Sequence, residues 1–237
     1  MPMDPAATTI VTGFDDVPRF AQGLVRDIRI RWALEEIDRP YRTRLFSAMQ
    51  PRPEGYRAWQ PFDQVPAFED EEVRLFESGA ILLYLGEQDA RLLPRDRQAR
   101  WDATAWLIAM LNSVEPRVMQ LVNLDIFEAG ESWSRDARPG AIEAVSSRLG
   151  QVAEALGERD WLAGRFTVAD IMMVTVLRNL RHSEIVAGFP TLSVYQRRGE
   201  ARPAFRQALA DQLADFDARE AAGAGARERK DEAKMPQ

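Results

Sequence analysis

The 237-residue chain contains no cysteine and one histidine, His182. The first absence removes disulfides, thiolate metal sites and any cysteine nucleophile. The second leaves a serine-histidine-acid triad or a histidine metal centre hanging on a single side chain, inside an apolar helical pattern where a packed or exposed structural role is the commoner one. Positive charge is not in excess either: 31 Lys and Arg against 37 Asp and Glu give a net charge of −6. That removes the electrostatic footprint of a nucleic-acid binder. No apolar run approaches the roughly 20 residues of a membrane span, and MPMDPAATTI lacks the basic start and apolar stretch of a secretion signal. These absences point to a cytoplasmic protein with no nucleic acid, membrane or metal among its partners.

What is present suits a globular chain of one large or two modest domains, with 46% hydrophobic and 29% charged residues. TTIVT at 8–12 predicts a strand that Gly13 and Pro18 break into a loop. Leu24, Ile28, Trp32 and Leu34 to Ile37 then keep helical spacing until DRP at 38–40, and YRTRLF alternates as a second strand, so a parallel crossover unit is expected. The segment 47–61, with Pro51, Pro53 and Pro61, reads as irregular surface chain. VPAF and EVRLF, joined by EDEE, predict an antiparallel hairpin, and Ser78 is placed to cap the helix GAILLYLGEQ.

From Arg97 onward the pattern is helical throughout. RWDATAWLIAMLNSVEPRVMQLVNL should kink or restart at Pro116, and further helices follow in GAIEAVSSRLGQVAEAL, TVADIMMVTVLRNLRH, TLSVYQRRGEA and, after Pro203, PAFRQALADQLADF. Residues 217–237 carry five acidic and five basic residues and no aromatic, which predicts a frayed or disordered tail. The expected organisation is an α/β domain over 8–94, an all-α domain over 97–216 and that tail.

Two segments carry chemistry. A strand holding Pro66 belongs at an edge or a bulge, and the Val65 N–H and C=O are then free to pair with an extended peptide; a simple turn proline is the alternative. In FESGAI, Ser78 stands where a helix start exposes free N–H groups suited to a carboxylate, and Glu77 beside it suits an ammonium. Together they fit the zwitterionic end of an amino acid, although Ser78 acting only as a cap would look the same.

IRIRWALEEIDRPY, QVPAFED, FESGAILLYL, WLAGRFTVADIMM and FPTLSVYQRRGEARPAF, taken in order, resemble the glutathione transferase superfamily over residues 8 to about 216. The resemblance implies a thioredoxin-like N-terminal domain and a helical C-terminal domain. It also implies a cytoplasmic homodimer, pairing through the helix after Ser78 and the long helix after Arg97. Glutathione would be the co-substrate, and detoxifying conjugation to a hydrophobic electrophile the activity, with peroxide reduction through the same thiolate. Carried over by position, Val65 would pair with the cysteinyl backbone of glutathione with Pro66 cis, Glu77 and Ser78 would hold the γ-glutamyl end, and Gln64 would reach the glycyl end. Asp63 stands where a glycine is frequent, and Thr167 with Asp170 would form a buried capping box.

The departure lies in the thiol activator. Family members use tyrosine, serine or cysteine near the first strand or first helix, and none occurs between Gly13 and Pro40. Cysteine-dependent reductase chemistry therefore has no protein residue to run on. Arg26, with Asp27 beside it, falls near the expected position, as in bacterial transferases of an eta class that VPRFAQGLVRD resembles; Arg29 and Arg19 are the next candidates. Backbone N–H groups at the helix start would add to a guanidinium there. The same arginines could form a solvated face, in which case the chain is a non-catalytic glutathione-binding module. For a second-substrate pocket between the domains the candidates are Phe20, Trp106 and Met110, with Met119 and Phe127 beside them, although apolar residues at such spacing also build cores. Isomerase or lyase chemistry has no residue that singles it out.

Overall fold

The computed structural model describes residues 2–232, with side chains through residue 221. Strand β1 (Ile10–Asp16), helix α1 (Asp27–Glu36) and strand β2 (Arg42–Ser47) form the crossover unit, followed by β3 (Ala67–Glu69), β4 (Arg74–Phe76) and α2 (Ser78–Gln88). The sheet order is β2-β1-β3-β4; β1 pairs parallel with β2, and the other two pairings are antiparallel. Helices then run to the end: α3 (Arg97–Ala109), α4 (Glu115–Val122), α5 (Ser132–Leu156), α6 (Val168–Arg178), α7 (Pro190–Glu200) and α8 (Pro203–Glu232). This is the thioredoxin-like α/β part with an all-α part that the sequence predicts. No helix among the described residues is long and apolar enough to cross a membrane.

Helix α1 is the structural centre. Every residue from Asp27 to Glu35 is buried, because α1 packs against β1, α2, α6 and α8 at once. A helix enclosed on all sides must pair its charges internally, since an isolated buried ion is too costly. Accordingly Arg31 reaches Asp27 and Asp215 of α8, each at 2.6 Å, and the Gln212 amide donates to Asp27 at 2.7 Å. Gly13 is part of the same packing. A Cβ at Gly13 would lie 2.8 Å from the Asp27 carboxylate, so β1 continues through the glycine where the sequence predicts a break. The glycine serves close approach of helix to strand rather than strand termination.

Helix α6 is the second enclosed element, and its start is fixed by a complete capping box. Asp170 accepts from the Thr167 N–H at 2.8 Å, while Thr167 Oγ1 accepts from the Ala169 N–H at 3.3 Å. The other Asp170 oxygen accepts from the Leu162 N–H at 3.0 Å and the Tyr195 hydroxyl at 2.7 Å, tying α6 to α7.

Between α3 and α4 the chain makes a π-helical turn over Met110–Val114, and α4 restarts at Glu115 with Pro116 in its first turn, where the missing N–H breaks no helical bond. A second π turn follows at Asn123–Phe127. At the end of the chain, α8 continues to Glu232 instead of fraying from residue 217, in keeping with an Ala-, Glu- and Arg-rich segment of strong helix formers. The rest of the predicted tail, 233–237, lies outside the described residues.

Candidate functional site

The loop ahead of β3 is built from β1 outward. Thr12 accepts the Ala67 N–H at 2.7 Å, and the Tyr56 hydroxyl donates to the Gln64 carbonyl at 2.8 Å. Tyr56 has one proton and has spent it, so at the 2.9 Å contact between the two hydroxyls Thr12 is the donor. Gln60 adds a side-chain oxygen that accepts from the N–H groups of Phe62 and Gln64 at 2.7 and 3.3 Å. The Val65-Pro66 peptide bond held between these anchors is cis. Asp63, in the place of a frequent glycine, takes φ of 56°, a left-handed conformation that Asp tolerates better than most residues, and pairs with Arg57 at 2.5 Å.

Beyond β4 the chain turns sharply into α2. Glu77 has φ 69° and ψ 115° and leaves the helix start without a side-chain cap. Ser78 is the first helical residue rather than the cap that its sequence position suggests. Its hydroxyl oxygen accepts a hydrogen bond from Arg29 Nη1 at 3.1 Å.

Arg29 crosses the base of the cleft. It is 1% exposed, and its other nitrogens are taken as well: Nε donates to Thr175 of α6 at 3.0 Å, and Nη2 to Glu115 of α4 at 2.9 Å. Arg26 donates to the same Glu115 oxygen through Nε at 2.9 Å, yet 42% of its side chain remains exposed. Burial alone would raise the Glu115 carboxyl, but the Arg29 and Arg26 guanidinium groups outweigh it and hold the group below the ordinary glutamate range. Burial likewise lowers Arg29, opposed by the carboxylate of Glu115.

A single cavity of about 400 Å³ brings these groups together. One wall is Gln60, Gln64, Val65, Pro66, Glu77 and Ser78; the floor is Arg26 and Arg29. Leu111, Asn112, Glu115, Pro116 and Met119 close the helical side. The close approach of that wall depends on Gly79, where a Cβ would lie 2.6 Å from Leu111.

Several sequence candidates fall elsewhere. Met110 is 1% exposed in the core, and Trp106 packs half-buried against that core; neither lines the cavity. Their helical spacing marks packing, and Met119, one turn beyond the π segment, faces the cavity instead. Phe20 is also absent from the lining. It is 42% exposed, meets Phe127 edge-on at 5.6 Å between centroids, and lies in a loop tied down by Arg181, which donates to the carbonyls of Phe20 and Gln22 at 2.8 Å. Arg19 is outside the cavity with an 88% exposed side chain. The first-turn N–H groups of Ile28 and Arg29 are occupied by the Val25 and Arg26 carbonyls, so they are not free to assist a ligand.

Sequence reasoning missed Gln60, Asn112 and Glu115. For Glu115 a signal existed: a carboxylate in the otherwise apolar stripe of Leu111, Val118 and Val122 must find cations inside the fold. Among the described residues no group of three or more metal-ligating side chains is gathered.

Comparison with known proteins gives the following. Residues 22–87 match the family model described as glutathione S-transferase, N-terminal domain. The disulfide-bond oxidoreductase YfcG of Escherichia coli is 30% identical over 197 residues, 76% of this chain and 88% of that protein. Glutathione S-transferase PARB of Nicotiana tabacum is 30% identical over 164 residues, 65% of this chain and 77% of that protein. Among solved structures, a glutathione transferase family member from Pseudomonas fluorescens with two glutathione bound superposes with a TM-score of 0.77 at 25% identity, covering 86% of this chain and 95% of that one.

Proposed function

The chain belongs to the glutathione S-transferase family, and from that premise we propose that it binds glutathione in the cleft beside cis-Pro66 and uses the bound thiolate as a nucleophile towards an electrophile. The observation that carries the reading is the convergence of Val65, Glu77, Ser78 and Arg26 on one cavity. Val65 offers main-chain groups to the cysteinyl unit of the tripeptide, Glu77 receives the γ-glutamyl ammonium, Ser78 receives its carboxylate, and Gln64 reaches the glycyl end.

Arg26 supplies the activation. A free thiol titrates at about 8.5, so lowering it by about two units makes the anion dominant at neutral pH for about 3 kcal/mol. A guanidinium that is held by a carboxylate yet open to the cleft delivers that by charge and hydrogen bonding. In conjugation the thiolate attacks an electron-poor carbon, a C–S bond forms, and halide or another leaving group departs with its electron pair. The protein's part is to position the sulfur and stabilise its charge. Reduction of a peroxide would draw on the same thiolate.

Two polar residues on the helical wall favour a second reading. Asn112 and Glu115 stand where a hydrophobic electrophile would want apolar cover, and a mixed disulfide between glutathione and another thiol suits them better. There the bound thiolate attacks the glutathione sulfur of the mixed disulfide, the S–S bond of glutathione disulfide forms as the mixed bond breaks, and the other thiol leaves as thiolate, with no protein cysteine required. The name of the E. coli relative agrees with that chemistry.

The test is a titration with glutathione while thiolate absorbance is followed across pH, then turnover with aryl halides, peroxides and a mixed disulfide of glutathione. A lowered thiol pKa with turnover supports the enzyme. Saturable binding with neither leaves a non-catalytic glutathione-binding module, and no binding removes the site. The same premise carries a homodimer through α2 and α3, where Trp101 and Ile108 are exposed; a monomer at micromolar concentration in sedimentation would refute it.

A further inference from the structure

Ser78 is 4% exposed, and its only hydrogen bond among the described residues is the one it accepts from Arg29. A guanidinium has no acceptor, so the direction of that bond is fixed. The hydroxyl proton is therefore left over, on a buried side chain that lines the cavity at the first residue of the 11-residue helix α2. A buried donor without an acceptor is expensive to leave unmade, and the acceptor must come from the cavity.

From this we propose that Arg29 is a positioning residue for substrate: it sets the Ser78 hydroxyl to donate into the cleft and thereby selects an anionic carboxylate at the γ-glutamyl end. The inference rests on the glutathione reading given above. Arg29 acts through Ser78 from the cavity floor. Its orientation is set by anchors on three elements: Thr175 on α6, Glu115 on α4 and Ser78 itself on α2. Thr175 can only accept from Arg29, because its own proton is directed to the carbonyls of Ile171 and Met172 at 2.9 Å. Glu115 neutralises one charge while Arg26 and Arg29 bring two, so the floor behind Ser78 keeps a net positive charge that favours an anion over a neutral amide. Glu77, beside Ser78, is the one acidic neighbour on that wall, and it is exposed.

The helical part thus reaches through a buried arginine into the recognition of a group bound on the α/β part. A lysine in its place keeps the charge but not the fork that serves three acceptors on three elements.

The experiment is calorimetric binding of glutathione and of its analogue carrying a carboxamide in place of the γ-glutamyl α-carboxylate. The wild-type protein should prefer the carboxylate by about 10- to 100-fold. Arg29→Met should bring that preference close to one. Ser78→Ala should narrow the same ratio, and the double variant should narrow it no further than either single change. Equal weakening for both ligands, or an undiminished preference, overturns the proposal. Should Arg29→Met not fold, Arg29→Lys is judged by the same ratio: a reduced preference supports the assignment and a wild-type preference overturns it. Failure of the wild type to bind glutathione at all overturns the functional reading itself and the inference with it, whereas binding without preference for the carboxylate overturns only the inference.

Discussion

Arg26 donates through Nε to Glu115 at 2.9 Å, joining residues 89 positions apart. The contact closes the cleft floor between the start of α1 and the restart of α4. It holds a half-exposed guanidinium in one place without using up its charge, since Glu115 is shared with Arg29.

Removing that guanidinium should be felt at the thiol. Arg26→Ala is expected to raise the pKa of bound glutathione by about one to two units and to lower kcat/KM at neutral pH by about 10- to 100-fold. Thiolate absorbance against pH measures the first quantity and steady-state kinetics the second; an unchanged thiol pKa would dismiss Arg26 as activator.

Met110 of the π turn and Met119 of α4 should separate stability from recognition. Met110→Ala should cost about 2–4 kcal/mol in denaturant unfolding and leave KM for the second substrate unchanged, because Met110 is buried in the core. Met119→Ala, on the cavity wall, should do the reverse. If both variants moved only stability, the helical wall would have no part in substrate choice.

Asp170→Ala strips four donors of their acceptor: the Thr167 N–H and hydroxyl, the Leu162 N–H and the Tyr195 hydroxyl. The expected loss is about 3–5 kcal/mol, seen as a Tm lowered by about 10 °C. A loss under about 1 kcal/mol would mean that water or a neighbour replaces the carboxylate.

Glu35 gives a pH signature. Burial, with Asp211 and Asp38 nearby, pushes its carboxyl up to about 7, and one of its oxygens is buried without a partner. Between the ordinary glutamate pKa and about 7 the folded chain holds a proton that the unfolded chain has released. From this group stability therefore falls as pH rises through that window, by about 3 kcal/mol at most. Glu35→Gln should flatten that part of the profile between about pH 5 and 8, and calorimetric melts across the range would show it. A decline in the variant as steep as in the wild type would assign the effect to other groups.

Much of the architecture was legible because it rests on local signals. The hairpin around EDEE and the helix starts at Thr167 and Pro203 are each written in neighbouring residues, where capping, turn chemistry and hydrophobic period act over a few positions. Gly13 misled for the opposite reason. A glycine reads as a break until the Asp27 carboxylate that needs its missing Cβ is brought against it. The apolar spacing of Trp106 and Met110 was genuine, but spacing along one helix cannot tell a core face from a cavity face.

By itself, then, the sequence determined the order of elements, the absence of a cysteine and the two short segments, QVPAFED and FESGAI, that come to line the cavity, all of which depend on composition or on residues close along the chain. Only the tertiary structure decided how the arginines of α1 divide their work. Arg31 goes to Asp215, Arg29 to Ser78, Thr175 and Glu115, and Arg26 stays partly open to the cleft. The physical reason is that a buried charge is defined by partners which the fold supplies from distant elements, and no local pattern records which partner a guanidinium will meet.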